Sequence, residues 1–296
     1  CIGAVYGQAG FNWMVDEIKR TFQLNKIVTF CFGLIPWICR VHEYGKTGIT
    51  YGIKPINIAA VEPKEEFDEL KQSILDKICV WWFGKTEVRQ ADNFLSLTFS
   101  VDNQIIHPSR CYGLFQKHGG EWNDPADIPY FYRDFDQYSA EILGKLDDDY
   151  SKIRESIKAK YPEKKFTYML DYLTQDRNTN ITRKYDIVES FRLSRTLGAI
   201  KPPTVQTESG AWKINTNHRF FTDDIHYGLC IAKWTAERLG IEVPTIDAII
   251  IWAQELRQEV LIQNGKLKLD SEDLKERFKS GIPYFYGYQS IDDIVG

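Results

Sequence analysis

The hydrophobic pattern of the chain changes near residue 100, and this change limits the fold more than any other feature. Before it, apolar segments that look like strands alternate with amphipathic helical segments; after it, almost every segment has a helical period. The first pattern is typical of an α/β domain with a mainly parallel sheet, and the second of an all-α domain. The sequence therefore predicts an α/β domain over residues 1–103, followed by an all-helical domain over 104–296.

The period of the apolar residues also predicts the individual elements. In the first part we expect an amphipathic helix carrying Met14 and Ile18, a second helix after Pro63, and strands at 1–6, 26–33 and, as two short strands, within 48–61. In the second part, helical period and end signals predict helices at 139–161, 163–173, 228–240, 243–261 and 270–281.

Composition excludes several classes of protein. A net charge of −4 argues against nucleic acid or an anionic membrane as the main partner. No run reaches the ~18 to 20 apolar residues of a membrane span, which predicts a soluble chain. The six cysteines are scattered without zinc or disulfide spacing, which favours a reducing, cytoplasmic compartment and no metal site. The glycosylation sequon at Asn180 is discounted as a chance match.

No phosphate-binding glycine loop is found in the sequence. Two Gly-Lys-Thr triplets, at 45–47 and 84–86, lack the glycine that a phosphate loop needs upstream, because Arg40 and Cys79 stand there. The dinucleotide-binding pattern G-x-G-x-x-G does not occur either. The chain begins without Met and within a predicted strand, so we expect a segment upstream of Cys1.

Two stretches combine ionisable and aromatic residues in a way that indicates a site. In 215–229, Arg219 and Asp224 flank Phe220 and Phe221, and the guanidinium either binds a substrate carboxylate or forms a salt bridge with Asp223 or Asp224 at a helix start. The spacing does not decide between these two interpretations of Arg219.

The second stretch, 103–113, contains a histidine beside a proline. Asn103 and His107 share a face if this stretch is helical, and Pro108 fits the first turn of a helix. The imidazole either serves a site or is a core histidine bonded to a backbone carbonyl, and spacing does not decide between the two.

Four motifs in order, "IPWICR" (35–40), "NQIIHPSRCYG" (103–113), "DIPYFYRDFD" (127–136) and "NHRFFTDDIHYGL" (217–229), resemble the opine dehydrogenase family of the octopine and nopaline type. The resemblance implies a Rossmann-type, doubly wound domain that binds NADH or NADPH. It also implies an all-helical catalytic domain of the 6-phosphogluconate-dehydrogenase-like type. The family's first strands and glycine-rich turn have no counterpart here, so the Rossmann-type domain is expected to be partial.

The resemblance also assigns roles to residues. It implies that His107 is the catalytic acid and base, that Asp224 is its partner carboxylate, and that the two converge in space. Arg219 would bind a substrate carboxylate, and Asn103 would bind the substrate or the nicotinamide amide. Further residues implied to line the substrate or cofactor site are Gln8, Cys39 and Trp37. His218 and His226 have no implied role, and we expect them in solvated or helix-cap positions.

The implied reaction joins a 2-oxo acid, usually pyruvate, to the amine of an amino acid and reduces the imine with NADH or NADPH. The expected partners are these small molecules, and the sequence leaves open whether the chain is a monomer or a homodimer. A second hypothesis is a non-catalytic protein that keeps the second half of the fold and binds small carboxylates.

Overall fold

A computed structural model describes residues 1–81, 84–179, 186–194, 197–276 and 278–295. The sequon at Asn180 lies outside these residues. The chain divides into two compact units. The first contains Cys1–Ser100 and Tyr161–Arg183, and the second contains Val101–Lys160 and Lys184–Gly296.

Strands of the first unit are β1 (Ile2–Ala4), β2 (Thr29–Phe32), β3 (Trp37–Glu43), β4 (Thr47–Ile53), β5 (Ile56–Glu62), β6 (Val80–Trp81), β7 (Gly84–Lys85) and β8 (Glu87–Gln90). Four of them form a sheet in the order β1-β2-β5-β8. The β1/β2 and β5/β8 pairs are parallel and the β2/β5 pair is antiparallel. Between β2 and β5 the chain forms the β3–β4 hairpin instead of a crossover helix, so β5 returns antiparallel.

Both faces of this sheet are covered, which explains why its central strands β2 and β5 are mainly apolar. Phe30 and Phe32 of β2 pack with Val61 on one face, against the helical segment after Pro63. Cys31 packs with Ala60 on the other face. The predicted strands are confirmed as β1, β2, β4 and β5, of which β1 and β2 are shorter than predicted, whereas β3, β6, β7 and β8 were not predicted.

The helices, in chain order, are α1 (Phe11–Thr21), α2 (Phe67–Leu70), α3 (Asp76–Ile78), α4 (Phe94–Thr98), α5 (Asn103–His118), α6 (Gln137–Lys160), α7 (Tyr172–Thr179), α8 (Ile187–Arg192), α9 (Arg219–Thr222), α10 (Cys230–Leu239), α11 (Pro244–Arg257) and α12 (Ile291–Val295). Helices α1 to α4 and α7 belong to the first unit and the others to the second. The predicted helices at 139–161, 228–240 and 243–261 are confirmed as α6, α10 and α11. The predicted α1 and the helix after Pro63 are also present.

The helix predicted at 163–173 is wrong. The segment forms turns, because its polar backbone groups bind side chains of the first unit instead of each other. The Thr167 amide donates to the Asp92 carboxylate at 2.7 Å, and the Leu170 amide donates to the Ser100 hydroxyl at 2.8 Å. Helix α7 begins only at Tyr172.

The helix predicted at 270–281 is also wrong where the structure describes this segment, which forms turns. The Asp273 carboxylate accepts a hydrogen bond from the Val260 amide at 2.8 Å instead of remaining at a helix start. The carbonyls of Phe278 and Lys279 accept hydrogen bonds from Tyr227 and His226.

Helices α5 and α6 form the centre of the second unit and approach closely. A Cβ added at Gly113 would lie 2.2 Å from the Ser139 hydroxyl oxygen, so only glycine permits this packing. The unit also contains the short strands β9 (Glu121–Trp122), β10 (Thr204–Gln206), β11 (Trp212–Ile214), β12 (Ile262–Gln263) and β13 (Lys266–Leu267). It is therefore mainly, and not entirely, helical. Within the described residues, no helix is long and apolar enough to cross a membrane.

Candidate active site

The N-terminal half of α5 holds the histidine identified from the sequence. The Asp102 carboxylate accepts a hydrogen bond from the Asn103 amide at 2.6 Å, and the helix begins there. His107 lies one turn further, on the same side as Asn103. Pro108 is the sixth residue of the helix, so its expected place in the first turn is wrong.

Asp224 lies where two kinds of helix meet. The short helix α9 ends at Thr222, and a π-helical turn covers Ile225–Leu229 before α10. The Asp224 amide donates to the Arg219 carbonyl at 3.2 Å, and the Leu229 amide donates to the Asp224 carbonyl at 3.0 Å. The wider turn therefore begins directly after the carboxylate, and such single π turns occur frequently at functional sites.

His107 and Asp224 are in direct contact, so their predicted convergence is confirmed. The distance from His107 Nδ1 to Asp224 Oδ2 is 2.7 Å. The imidazole stacks on the Phe220 ring, with a centroid distance of 3.7 Å and an interplanar angle of 19°. Only 1% of His107 and 5% of Asp224 is exposed. The partner of Nδ1 is thus a buried carboxylate and not a backbone carbonyl.

A glycine allows the π turn to approach α5. A Cβ added at Gly228 would lie 2.7 Å from Gln104 Cγ, a buried side chain one turn before His107. The Gln104 amide also donates to the Tyr227 carbonyl at 3.4 Å. The absence of a side chain at Gly228 therefore permits the approach that brings Asp224 to the imidazole.

The second nitrogen of the imidazole contacts a residue that had no assigned role. The distance from His107 Nε2 to the Tyr132 hydroxyl is 3.1 Å. The Tyr132 ring is buried against Phe131 and Phe191, at centroid distances of 5.0 and 5.3 Å. Its only signal in the sequence is its place in the motif at 127–136, which the resemblance included without giving Tyr132 a task.

Arg110 fixes the segment that carries Tyr132. It lies three residues after His107 on α5 and is 1% exposed. Its guanidinium donates to the backbone carbonyls of Phe131 at 3.1 Å, Tyr130 at 3.3 Å and Asp134 at 2.8 Å. The same helix therefore supplies the imidazole and holds the loop that contacts its second nitrogen.

The carboxyl group of Asp224 is difficult to ionise. Burial raises its pKa to about 8, the nearby Asp223 charge contributes in the same direction, and the positive charge of Arg219 offsets part of the rise. Since Asp224 and His107 share a short contact, they take up and release protons as one unit. Such a perturbed, buried pair is a physical indication of acid and base function.

Arg219 is exposed at the first position of α9 and close to the pair. Its guanidinium carbon lies 5.3 Å from the centre of the Phe220 ring. Among the described residues it forms no ion pair with a carboxylate, so the salt bridge to Asp223 or Asp224 is not observed. The charge is available for an anionic ligand.

The other predicted residues have different surroundings. Asn103 is half-buried, and its side-chain amide has no hydrogen-bond partner in the described part of the chain. Gln8 is fully buried, with its amide donating to the Gly33 carbonyl at 2.8 Å. Cys39 is exposed on the β3–β4 hairpin, its sulfur 3.3 Å from the Thr50 hydroxyl, and Trp37 is half-buried on the same hairpin.

The two histidines without an implied role differ from each other. His218 caps α9, its Nδ1 accepting a hydrogen bond from the Phe220 amide at 3.3 Å, as expected. The solvated or helix-cap position expected for His226 is wrong, because the residue is buried within the π turn. Its Nε2 is 3.0 Å from Glu259 Oε2 and its Nδ1 is 2.9 Å from the Lys279 carbonyl.

Comparison with known proteins identifies the family of the chain. Residues 90–257 match the model of the family described as NAD/NADP octopine/nopaline dehydrogenase, alpha-helical domain. The chain is similar to the opine dehydrogenase of Haliotis discus hannai, with 24% identity over 98% of this chain and 69% of the relative. It is also similar to the octopine dehydrogenase of Mizuhopecten yessoensis, with 26% identity over 97% of this chain and 70% of that protein.

A solved structure of octopine dehydrogenase with NADH and pyruvate has the same fold. The TM-score is 0.77 at 21% identity, and the match covers 99% of this chain and 70% of that one. The family match spans more than half of the sequence, from the end of the first unit through α11. The chain therefore belongs to the octopine/nopaline dehydrogenase family, and the relatives named above are oxidoreductases.

Proposed function

We propose that this chain carries the catalytic site of an opine dehydrogenase. It would condense a 2-oxo acid, in the first instance pyruvate, with the amine of an amino acid and reduce the resulting imine with NADH or NADPH. The single observation that carries this proposal is the buried His107–Asp224 pair, whose carboxyl pKa lies near 8. The names of the relatives supply the reaction class and the substrates.

The reaction needs a group that handles protons in a site without bulk water. Condensing a protonated amine with a ketone and adding hydride consumes one proton and releases one water. A pair that loses its proton near pH 8 holds that proton at neutral pH and releases it to a developing base. In the oxidative direction the deprotonated pair accepts the proton, so we expect oxidation to be favoured at higher pH.

Arg219 would bind the carboxylate of the 2-oxo acid. Its guanidinium is exposed, is not paired with a described carboxylate, and belongs to the helix that precedes Asp224. Guanidinium binds carboxylate in a bidentate manner, which fixes the orientation of the substrate. The carbonyl carbon of a 2-oxo acid is bonded directly to that carboxylate, so such binding would also position the reacting carbon.

Of the two side-chain amides predicted to bind the cofactor, Asn103 fits the nicotinamide end and Gln8 does not. The free amide of Asn103 matches a carboxamide in donor and acceptor chemistry. Gln8 would bind cofactor or substrate only by giving up its bonds at the end of β1, so we assign it the role of holding that turn. When bound, NADH or NADPH supplies the hydride for the imine carbon.

We further propose that the two parts of the chain have different functions, cofactor binding and catalysis. Residues 1–103 would form a partial Rossmann-type domain on the cofactor side. Residues 104–296 would form a catalytic domain of the 6-phosphogluconate-dehydrogenase-like type, which carries His107, Asp224 and Arg219. Trp37 and Cys39 would form a wall of the substrate site, and Cys39 has no assigned covalent role.

The test is the oxidation of NADH and of NADPH with pyruvate and a panel of amino acids. It is run on this chain and on any longer form that its reading frame encodes upstream of Cys1. We expect turnover that requires both substrates and falls about 10²- to 10⁴-fold in His107→Ala. If no form turns over while pyruvate still binds in calorimetry, the chain is a carboxylate-binding protein, and the proposal is wrong.

A further inference from the structure

Both in-plane positions of the His107 imidazole are occupied by side-chain oxygens. Nδ1 faces the Asp224 carboxylate at 2.7 Å and Nε2 faces the Tyr132 hydroxyl at 3.1 Å. Each imidazole nitrogen makes one in-plane hydrogen bond. A substrate atom can therefore exchange a proton with Nε2 only if it displaces the Tyr132 hydroxyl or if the proton passes through that hydroxyl.

Packing argues against displacement. The Tyr132 ring is buried and contacts Phe131 and Phe191, of which the first is fully buried and the second 1% exposed. The buried Arg110 guanidinium also fixes the loop that carries Tyr132, because it donates hydrogen bonds to three backbone carbonyls of that loop. Moving the hydroxyl away would disturb this packing, because buried aromatic rings move only with their neighbours. A proton transfer through the hydroxyl requires no such movement.

We propose, building on the dehydrogenase function proposed above, that Tyr132 is a catalytic residue that relays the proton between His107 and the substrate. In the reductive direction, His107 Nε2–H gives its proton to the Tyr132 oxygen while the Tyr132 O–H proton moves to the substrate oxygen that leaves as water. The hydroxyl is regenerated, the His107–Asp224 pair has lost one proton, and the substrate oxygen has gained one. The carbon–oxygen bond of the substrate breaks while the lone pair of the amine nitrogen forms the carbon–nitrogen double bond of the imine, and no electrons are exchanged with the protein.

A hydroxyl suits this position because it donates and accepts a hydrogen bond at the same time. Arg110 acts through the loop and is a positioning residue. It lies on the same helix as His107, so the distance between Nε2 and the hydroxyl is set by one rigid element together with the carbonyls it holds. The motif at 127–136 thereby receives a function that the sequence did not assign.

The test compares wild-type protein, Tyr132→Phe and the matched control Tyr112→Phe. Phe at 132 keeps the ring packing and removes only the hydroxyl. Tyr112 lies on the same helix as His107 and contacts Trp252 edge-on at 5.2 Å, without a described hydrogen bond. The measurements are the pH profile of kcat for the reductive reaction and the ¹⁵N NMR titration of the His107 ring.

We expect Tyr132→Phe to lower kcat about 100-fold, to remove its pH dependence and to shift the ¹⁵N signal of His107 Nε2, which loses its contact with the hydroxyl. Tyr112→Phe should behave like the wild type in both measurements. Unchanged kcat and pH profile in Tyr132→Phe would overturn the relay, and faster turnover would do so as well, because the hydroxyl would then compete with the substrate. An inactive wild type would instead refute the proposed function. In that case the ¹⁵N titration alone decides: a His107 Nε2 signal unaffected by Tyr132→Phe overturns the relay.

Discussion

The second unit contains two histidine–carboxylate pairs with buried imidazoles and nearly the same contact distance, but the pKa values of their carboxyl groups are shifted in opposite directions. His107 lies 2.7 Å from Asp224, and His226 lies 3.0 Å from Glu259. Burial raises the pKa of Asp224 to about 8. Burial also disfavours the charged form of Glu259, but hydrogen bonds from His226 and Arg257 outweigh it and lower the pKa of Glu259 to about 2.

The opposite pKa shifts result from a third residue beside each pair, which is Arg257 for the second pair and Tyr132 for the first. Arg257 donates to Glu259 through Nε at 2.9 Å and Nη2 at 2.5 Å. For Asp224 the described residues provide no arginine or lysine ion pair, and the other neighbour of its histidine is the neutral Tyr132. A contact between imidazole and carboxylate is therefore not enough to identify an acid and base. The counter-cation keeps one pair charged, and its absence leaves the other free to titrate.

The largest expected effect is a loss of kcat when the carboxyl group of the first pair, Asp224, is removed. Asp224→Asn removes the titrating carboxyl group and should lower kcat about 10²- to 10⁴-fold, with little change in KM. The neighbouring Asp223→Asn is the matched control, since Asp223 is exposed and its carboxylate accepts a hydrogen bond from the Thr222 hydroxyl. Steady-state kinetics check this, and equal losses in the two variants would contradict the role of Asp224.

The second prediction concerns stability. Glu259→Gln leaves Arg257 and His226 without their carboxylate and should lower the free energy of unfolding by about 2–4 kcal/mol, near the cost of breaking a buried ion pair. Urea unfolding measures this change. The kcat of the folded variant should remain within about threefold of wild type, in contrast to Asp224→Asn. A loss of kcat as large as that of Asp224→Asn would mean that the two pairs are not functionally distinct.

The third prediction tests the approach that creates the first pair. Gly228→Ala places a Cβ 2.7 Å from Gln104 Cγ, so the π turn or α5 has to shift. We expect unfolding to become easier by about 1–3 kcal/mol, together with a lower kcat. Gly144→Ala on α6 is the matched control. A Cβ there meets nothing within 4 Å, so alanine should be neutral or stabilising by up to about 1 kcal/mol. Equal stability of the two variants would exclude a tight approach at Gly228.

The fourth prediction concerns the pH dependence of stability. The pKa of Asp224 is raised on folding, so its contribution is present below about pH 4 and is lost as the pH rises toward 8. The pKa of Glu259 is lowered, so its contribution is present above about pH 4.5 and is lost only as the pH falls toward 2.

Of these two carboxyl groups, therefore, only Asp224 gives a slope between about pH 5 and 8. The free energy of unfolding of the wild type minus that of Asp224→Asn should decrease across this range. The corresponding difference for Glu259→Gln should remain constant. Equal slopes for the two differences would contradict the assignment of the pKa shifts.

The sequence predicted some of this site and missed the rest for physical reasons. His107, Asp224 and Arg219 were found because the family motifs contain them at recognisable spacing. Tyr132 and Arg110 were missed because their connection consists of bonds from a guanidinium to backbone carbonyls, and any residue type supplies a carbonyl. Such contacts leave no pattern of side chains.

The elements of the fold also differ in whether the local sequence predicts them. The strand β2 was predicted as a continuous apolar run, and the helix α11 was predicted from its helical period and its proline near the first turn. The segment 163–173 has a helical period but forms turns, because Asp92, Asn93 and Ser100 bind its backbone groups. Those partners lie about 70 residues earlier in the sequence, where periodicity within a window cannot detect them.

The most direct test of the contrast between the pairs is a ¹³C NMR titration of the carboxyl groups of Asp224 and Glu259 between about pH 5 and 9, assigned with Asp224→Asn and Glu259→Gln. We predict that the Asp224 signal moves with a midpoint near pH 8 and that the Glu259 signal stays constant as a carboxylate. An Asp224 signal that remains that of a carboxylate throughout, or a Glu259 signal that titrates in this range, would contradict the assignment of His107 and Asp224 as the proton-handling pair.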